Sequence, residues 1–77
     1  MDKTLDQLAL NGRGTIRVVG GERSFRRRLL ELGFLPGVEV RLIGIAPMGD
    51  PLDVEVRGCR FSMRKTEAQA VGLEVRP

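Results

Sequence analysis

The sequence predicts a mainly β fold, a small barrel of five strands with one principal α-helix and short helical turns. Its 77 residues leave room for a single domain, residues 1–77, with one hydrophobic core. Apolar and polar residues alternate with a period of two in five segments, which is the spacing of half-buried strands. One segment has apolar residues at helical spacing, and glycine or proline separates most segments.

The first element is a short helical turn. Thr4 and Gln7 have the spacing of a capping box, in which each residue satisfies a backbone N–H of the other. Leu5 and Leu8 lie three apart and are expected to face inward together. Residues 11–14 (NGRG) then turn the chain.

The first strand is predicted over residues 15–19. Ile16 and Val18 are expected to face the core, with the residues between them outward. The pair Gly20 and Gly21 ends this strand, because adjacent glycines hold a strand ladder poorly.

The principal helix is predicted over residues 22–32. Phe25, Leu29 and Leu32 recur at i, i+4 and i+7 and form its inward stripe. Gly33 follows where a left-handed residue ends many helices, and the next residue is expected to fold back onto the last turn.

The rest of the chain alternates between turns and strands. Residues 35–37 (LPG) make a tight turn into a long strand over residues 38–46. Residues 52–57 and 59–64 form a hairpin, and a last strand covers residues 71–75 after a helical turn at 66–70. The expected inward residues are Val38, Val40, Leu42, Leu52, Val54, Val56, Cys59, Phe61, Met63, Val71, Leu73 and Val75.

Five short antiparallel strands joined by tight turns favour a closed, SH3-like barrel. Closure removes the exposed strand edges that invite aggregation. The same reasoning leaves self-association open, because a small barrel has a marginal core and edges between its strands.

Composition removes several classes of chemistry. Histidine, tryptophan and tyrosine are absent, and Cys59 is the only cysteine. There is therefore no imidazole base, no Cys–His pair, no internal disulfide and no Cys-x-x-Cys zinc motif. We predict no enzyme activity, no catalytic residue, no cofactor and no resident metal. The lone cysteine and the lack of a signal peptide or apolar span point to the cytoplasm.

Three carboxylates deserve comparison with a metal site. Asp50, Asp53 and Glu55 offer oxygen ligands of the kind Fe²⁺ accepts. The simpler interpretation makes the first a turn residue and the other two the wet side of a strand. Cys59 is interpreted as a small core residue, since free cysteine is readily buried.

The clearest candidate site is the arginine cluster on the principal helix. Arg23, Arg26, Arg27 and Arg28 lie within six residues, and Leu30 falls between the first two on the side opposite the inward stripe. An exposed leucine ringed by arginines predicts a protein-docking face. The alternative is a solvated face whose arginine stems lie along the surface.

Nucleic acid binding is a competing interpretation of the same arginines. Arginine binds phosphate bidentately, and small barrels do bind nucleic acids. The formal net charge is only +3, and neither Tyr nor Trp is present as a stacking platform. The sequence thus favours a protein partner over nucleic acid.

Four stretches in this order resemble the FeoA family, the small cytosolic proteins of bacterial ferrous iron uptake. They are residues 14–16 (GTI), 28–37 (RLLELGFLPG), 46–51 (APMGDP) and 64–68 (RKTEA), the last followed by Val71-x-Leu73. The resemblance covers nearly all of the chain. Each motif alone is common, whereas their ordered combination is specific.

The resemblance implies an SH3-like barrel without known catalytic activity that acts with the permease FeoB. That permease is a large membrane protein with a GTP-binding domain in its cytosolic part. The protein is then expected in the cytoplasm, peripheral to the inner membrane through its partner. The residues predicted to bind the partner are Arg23, Arg26, Arg27, Leu30, Gly33 and Phe34.

Overall fold

The structure, a computed structural model, describes residues 2–76 and contains six antiparallel strands in one sheet. The strands are β1 (Asp2–Thr4), β2 (Arg13–Val19), β3 (Glu39–Ile45), β4 (Leu52–Val56), β5 (Cys59–Met63) and β6 (Val71–Glu74). A 3₁₀ turn spans Leu5–Gln7, the principal helix α1 spans Arg23–Leu32, and a short helix α2 spans Lys65–Ala68. Within residues 2–76 neither helix has the length and apolar character needed to cross a membrane. The mainly β prediction is confirmed, with six strands where five were predicted.

Strand β1 is the element that the alternation pattern missed. It has only three residues, none of them a buried apolar side chain, and it pairs with the distant β6. The strand order is β1-β6-β2-β3-β4-β5, so the sheet of residues 2–76 is not closed and the prediction of closure was wrong. Both edge strands are short and carry charges, Lys3 on β1 and Arg60 on β5, features that lower but do not abolish the tendency of an edge to pair with another chain.

An ion pair ties β1 to β2 across the intervening β6. The Arg17 guanidinium lies 2.5 Å from the Asp2 carboxylate. Its hydrogen bond and its charge lower the pKa of Asp2 below the ordinary value, and the same contact raises the pKa of Arg17. The backbone ladder between β1 and β6 holds the short edge strand in the sheet, and this exposed ion pair adds a contact to β2.

The hydrophobic core joins the inner face of the sheet to α1, α2 and the 3₁₀ turn. Leu5 and Leu8 are buried, as predicted. The amide of Thr4 donates to Gln7 Oε1 at 2.9 Å, which is the expected second half of the capping box. Alternate residues of β3 and β4 are almost fully buried and form the centre of the core: Val40, Leu42, Leu52, Val54 and Val56.

Irregularities in two strands shift the predicted alternation. The pairing of β2 with β6 changes register between Ile16 and Val18, and that of β3 with β4 changes between Leu42 and Gly44. An extra residue in a strand moves the following side chains to the other face. Ile16 and Val19 are therefore buried, whereas Val18 is 58% exposed and its predicted inward orientation was wrong.

Cys59 is exposed, so its predicted place in the core was also wrong. It pairs with the buried Val56, but it stands at the first position of the edge strand β5. The two turn residues before it, Arg57 and Gly58, both have positive φ, the geometry of a tight hairpin. The alternation of apolar and polar residues cannot show that the first residue of this strand extends past the hydrophobic core into solvent.

Helix α1 ends as the sequence predicts. Gly33 adopts a left-handed conformation with φ of 107°, and the amide of Phe34 donates to the carbonyl of Leu29 at 3.0 Å. The Phe34 side chain then enters the core, where its ring centroid lies 5.3 Å from that of Phe61. A turn follows, closed by the bond from the Val38 amide to the Leu35 carbonyl at 3.0 Å.

The burial of Phe34 gives a stability prediction. Phe34→Ala is expected to lower the free energy of unfolding by about 3 to 5 kcal/mol, through lost burial and the cavity left behind. Leu35→Ala is the control, because Leu35 is 39% exposed, and it should cost less than about 1 kcal/mol. Urea denaturation followed by circular dichroism measures both values. Equal losses in the two variants would contradict the assigned core position.

Candidate partner-binding surface

Helix α1 exposes arginines along most of its length. The side chains of Arg23, Arg26, Arg27 and Arg28 all reach solvent, and Leu29 is buried beneath them at 2% exposure. The structure therefore presents these arginines on one element, as predicted. The four differ in how much of their charge is already neutralised.

Arg28 has partners within the protein. Its Nη2 lies 2.9 Å from Oε2 of Glu67, which belongs to α2 and stands 39 residues further along the chain. Its guanidinium also lies over the Phe25 ring, 6.0 Å from the centroid. Arg28 thus links the two helices and contributes to the fold.

The other three arginines are more available to a partner. Arg27 pairs with Glu31 one turn along α1, with 3.4 Å between Nε and Oε1, and both side chains are largely exposed. Such a pair contributes only a few tenths of a kcal/mol. Arg23 and Arg26 make no ion pair with any of residues 2–76. We call Arg23, Arg26 and Arg27 the arginine face.

The start of α1 is an unfavourable place for these cations. The first turn contains no acidic residue, and Glu22 at the N-cap makes no side-chain cap bond but accepts from the Ser24 hydroxyl at 3.0 Å. The N-terminal end of a helix carries partial positive charge, which repels cations. Helix stability therefore does not explain the two arginines, Arg23 and Arg26, in the first turns.

The leucines of α1 are arranged differently from the prediction. Leu30 was expected to be exposed, but it is half-buried and packs against the core beside Phe25 and Leu29. Leu32 was expected to face inward, but it is 44% exposed. The buried side of the helix thus includes Leu30 in addition to Phe25 and Leu29. It does not include Leu32, which is the last residue of the helix.

Gly33 and Phe34 have structural positions. Gly33 caps the helix, and Phe34 is fully buried, so its side chain is not presented to a partner in this conformation. Of the six residues predicted to bind a partner, Arg23, Arg26 and Arg27 are exposed and Leu30 borders them. Their role in binding stays a prediction.

A cavity that the sequence did not reveal lies on the other flank of α1. It has a volume of about 200 Å³, and Leu32, Phe61 and the Arg28–Glu67 pair are among the groups that line it. Its lining comes from α1, α2 and β5, which are distant in the chain. The i+4 spacing of Arg28 and Leu32 places these two residues on one side of α1. The sequence does not show that β5 and α2 pack beside them to complete the cavity.

The carboxylates considered as metal ligands are separated. Asp50 accepts the amide of Lys65 at 3.0 Å and so fastens the β3–β4 connection to the start of α2. Asp53 and Glu55 belong to β4, where Glu55 stands opposite Arg41 and Arg60. Within residues 2–76 no three His, Cys, Asp or Glu side chains come close enough to hold a metal ion.

The start of α1 gives a second stability prediction. Arg23→Glu should raise the free energy of unfolding by about 0.3 to 1 kcal/mol at low salt, because an acid replaces a base at the positive end of the helix. Arg23→Gln should give a smaller gain, and about 1 M NaCl should shrink both. Thermal and urea unfolding measure the effect. A loss of stability in Arg23→Glu would contradict this account of the helix.

Comparison with known proteins places the chain in a family. Residues 3–75 match the FeoA domain model. A curated relative from Porphyromonas gingivalis, an Fe(2+) transport protein A/Fe(2+) transporter FeoB fusion protein, is 30% identical over 71 residues. That alignment covers 92% of this chain and 8% of the relative, so the chain spans a small part of the fusion protein.

Solved structures of FeoA proteins have the same fold. The solution structure of FeoA from Chlorobium tepidum has a TM-score of 0.91 and 31% identity, covering 97% of this chain and 71% of that one. The crystal structure of Stenotrophomonas maltophilia FeoA, complexed with zinc and described as a prokaryotic SH3 domain protein, has a TM-score of 0.83. It is 37% identical, and the match covers 94% of this chain and 89% of that one. The SH3-like fold and the resemblance found in the sequence are confirmed, and the chain belongs to the FeoA family.

Proposed function

We propose that this protein is an accessory component of ferrous iron uptake that binds the cytosolic part of a FeoB-like permease with a GTP-binding domain. The observation that carries the proposal is the fusion relative, whose name joins transport protein A and the transporter FeoB in one polypeptide. Domains joined in one chain commonly work at one place. We infer the same partnership for this chain, which would then act at the cytoplasmic face of the inner membrane.

The arginine face of α1 is the proposed contact with the permease. Within residues 2–76, Arg23 and Arg26 have no ion pair, and Arg27 has only an exposed one. Arginine is enriched at protein interfaces because it combines a fixed donor fork with an apolar stem. The partner surface it fits is acidic, with an apolar rim able to meet the exposed part of Leu30.

The proposed role is regulatory or structural, without catalysis by this chain. FeoA proteins form a small transport-associated family rather than a known enzyme family. Nucleotide chemistry in this scheme belongs to the permease. The protein contributes a surface whose binding changes the state or the assembly of its partner.

Binding to the soluble cytosolic part of the neighbouring permease tests the proposal. We expect the wild-type protein to bind it in isothermal titration calorimetry, and Arg23→Gln/Arg26→Gln to bind about tenfold or more weakly, since each lost charged contact is worth about 1 kcal/mol. The titrations are run with and without GTP. Thermal unfolding of the double variant should match the wild type or exceed it slightly.

Arg64→Gln/Arg76→Gln is the matched control. It removes the same charge from two exposed arginines outside α1 and should leave the affinity within about twofold. If both double variants bind equally weakly, the loss of affinity comes from the lower net charge, and the arginine face is not the contact with the permease. No binding by the wild type under either nucleotide condition would reject the partnership itself.

Self-association is a separate expectation. Strands β1 and β5 leave two sheet edges unpaired within residues 2–76, and such edges can pair with a second copy. Sedimentation velocity over a wide concentration range should reveal a concentration-dependent dimer if the edges pair. A constant monomer mass would contradict this expectation without bearing on permease binding.

A further inference from the structure

The strand register gathers a second group of arginines on the outer face of the sheet. Arg13 of β2 stands opposite Arg41 of β3, Arg41 stands opposite Glu55 of β4, and Glu55 stands opposite Arg60 of β5. Their neighbours along β3 and β4 are the buried core residues, so this row faces away from the core. Arg57, in the β4–β5 turn, is exposed close by.

The cations of this row exceed the anions available to them. Arg13 and Arg41 are like charges at directly opposed positions, an arrangement that destabilises a sheet. Arg13 has only a 3.9 Å pair with Glu39, in which both side chains are 63% exposed. Arg57 and Arg60 make no ion pair with any of residues 2–76. Sheet stability therefore does not account for the row.

Arg41 carries the most specific signal. Its Nε is buried and has no hydrogen-bond partner in the described chain, while its Nη2 makes one long bond of 3.4 Å to Asn11 Oδ1. A buried donor on a charged group costs free energy when it is unpaired. Because the Nε is buried, a ligand in the solvent reaches the edge formed by Nη1 and Nη2, which can also bind a carboxylate bidentately.

The row opens onto a cleft that can receive such a group. The cleft has a volume of about 380 Å³, and it is lined by Arg13, Val38, Glu39, Arg41, Glu55, Arg57 and Gly58. We call it the sheet cleft. Three of these seven residues are arginines from different elements and two are glutamates, so cations exceed anions by one, and the arginine stems and Val38 supply apolar walls.

We propose that the sheet cleft binds an acidic segment of a protein partner, with Arg41 as the central carboxylate-binding residue, Arg57 as a flanking contact in the cleft, and Arg60 as a flanking contact outside it, opposite Glu55 on the next strand. Neighbouring strands are about 4.8 Å apart, so a chain crossing from β3 to β5 meets cations over roughly 10 Å. Two carboxylates of an extended acidic segment fit that span. This surface lies on the sheet, and its proposal does not depend on the arginine face of α1.

The interspersed acids favour a peptide over the other anionic partners. Glu55 stands within the row and Glu39 lines the cleft beside it, and both would repel the continuous phosphates of a nucleic acid. The large exposed apolar residues, such as Val18 and Met48, are not part of the cleft lining, so it offers no apolar insertion into a lipid surface. A peptide can place carboxylates at the arginines and neutral groups at the glutamates.

Fluorescence anisotropy with a labelled peptide of about twelve residues, alternating Glu and Ser, tests the proposal. The wild-type protein should bind this peptide, and the Gln/Ser counterpart should bind about tenfold or more weakly. Arg41→Gln should lower the affinity about tenfold. Arg41→Lys should not restore it, because lysine keeps the charge but lacks the bidentate edge.

Two double variants that each lose two positive charges distinguish binding at the sheet cleft from a general effect of net charge. Arg57→Gln/Arg60→Gln should weaken peptide binding, whereas Arg64→Gln/Arg76→Gln should change it by less than about twofold. Equal losses in both pairs, full rescue by Arg41→Lys, or equal binding of the Gln/Ser peptide would overturn the proposal. Tighter binding of a single-stranded oligonucleotide or of phosphatidylserine vesicles would replace it with another anionic partner. Unfolding midpoints near the wild-type value verify that each variant is folded.

Discussion

The reversal of the chain at Gly33 and Phe34 holds the principal helix against the sheet. Gly33 takes a left-handed conformation, the Phe34 amide bonds back to the Leu29 carbonyl, and the Phe34 ring packs against Phe61 inside the core. The Arg28–Glu67 pair adds a second tie, from α1 to α2. Because both ties act on the inner side and one flank of α1, the arginines on its outer side have a defined orientation. The direction in which the arginine face of α1 points therefore depends on the reversal at Gly33 and Phe34, whose phenylalanine ring lies inside the core.

Much of the fold could be predicted because local physics and tertiary packing agree. Alternation identified β2 to β6, and a helical spacing followed by glycine identified α1 and its end. The prediction failed where pairing with a distant part of the chain determines the local structure. The three residues of β1 become a strand only because β6 supplies a partner, and the bulge after Ile16 buries Val19 in place of Val18. Neither event leaves a periodic signal in the sequence.

The candidate surface was predictable in its charge but not in its availability. The cluster of arginines on α1 is visible in the sequence, whereas the engagement of Arg28 by Glu67 depends on two elements 39 residues apart. Leu30 is half-buried and Leu32 is exposed, the reverse of the prediction, because the way the helix packs on the core decides which leucines it buries. The sheet cleft was invisible for the same reason. Its arginines come from β2, β3 and the β4–β5 turn, and the strand pairing brings these distant parts of the chain together.

Internal pairing, more than net charge, decides which arginines of this small basic protein are left without an ion pair within residues 2–76. The formal charge is +3, from 13 cations and 10 anions, which is modest for a chain of this size. Part of the arginine charge is neutralised at contact distance, as in the pairs of Arg17 with Asp2 and Arg28 with Glu67. Within residues 2–76, the arginines without an ion pair include Arg23 and Arg26 at the start of α1 and Arg41 and Arg57 at the sheet cleft, and the others are Arg60, Arg64 and Arg76. At physiological salt the field of an exposed charge fades within about 8 Å, so each group acts mainly on what touches it. If both proposed surfaces bind, each is therefore expected to act on its own acidic contact, and the net charge of +3 does not by itself locate either surface.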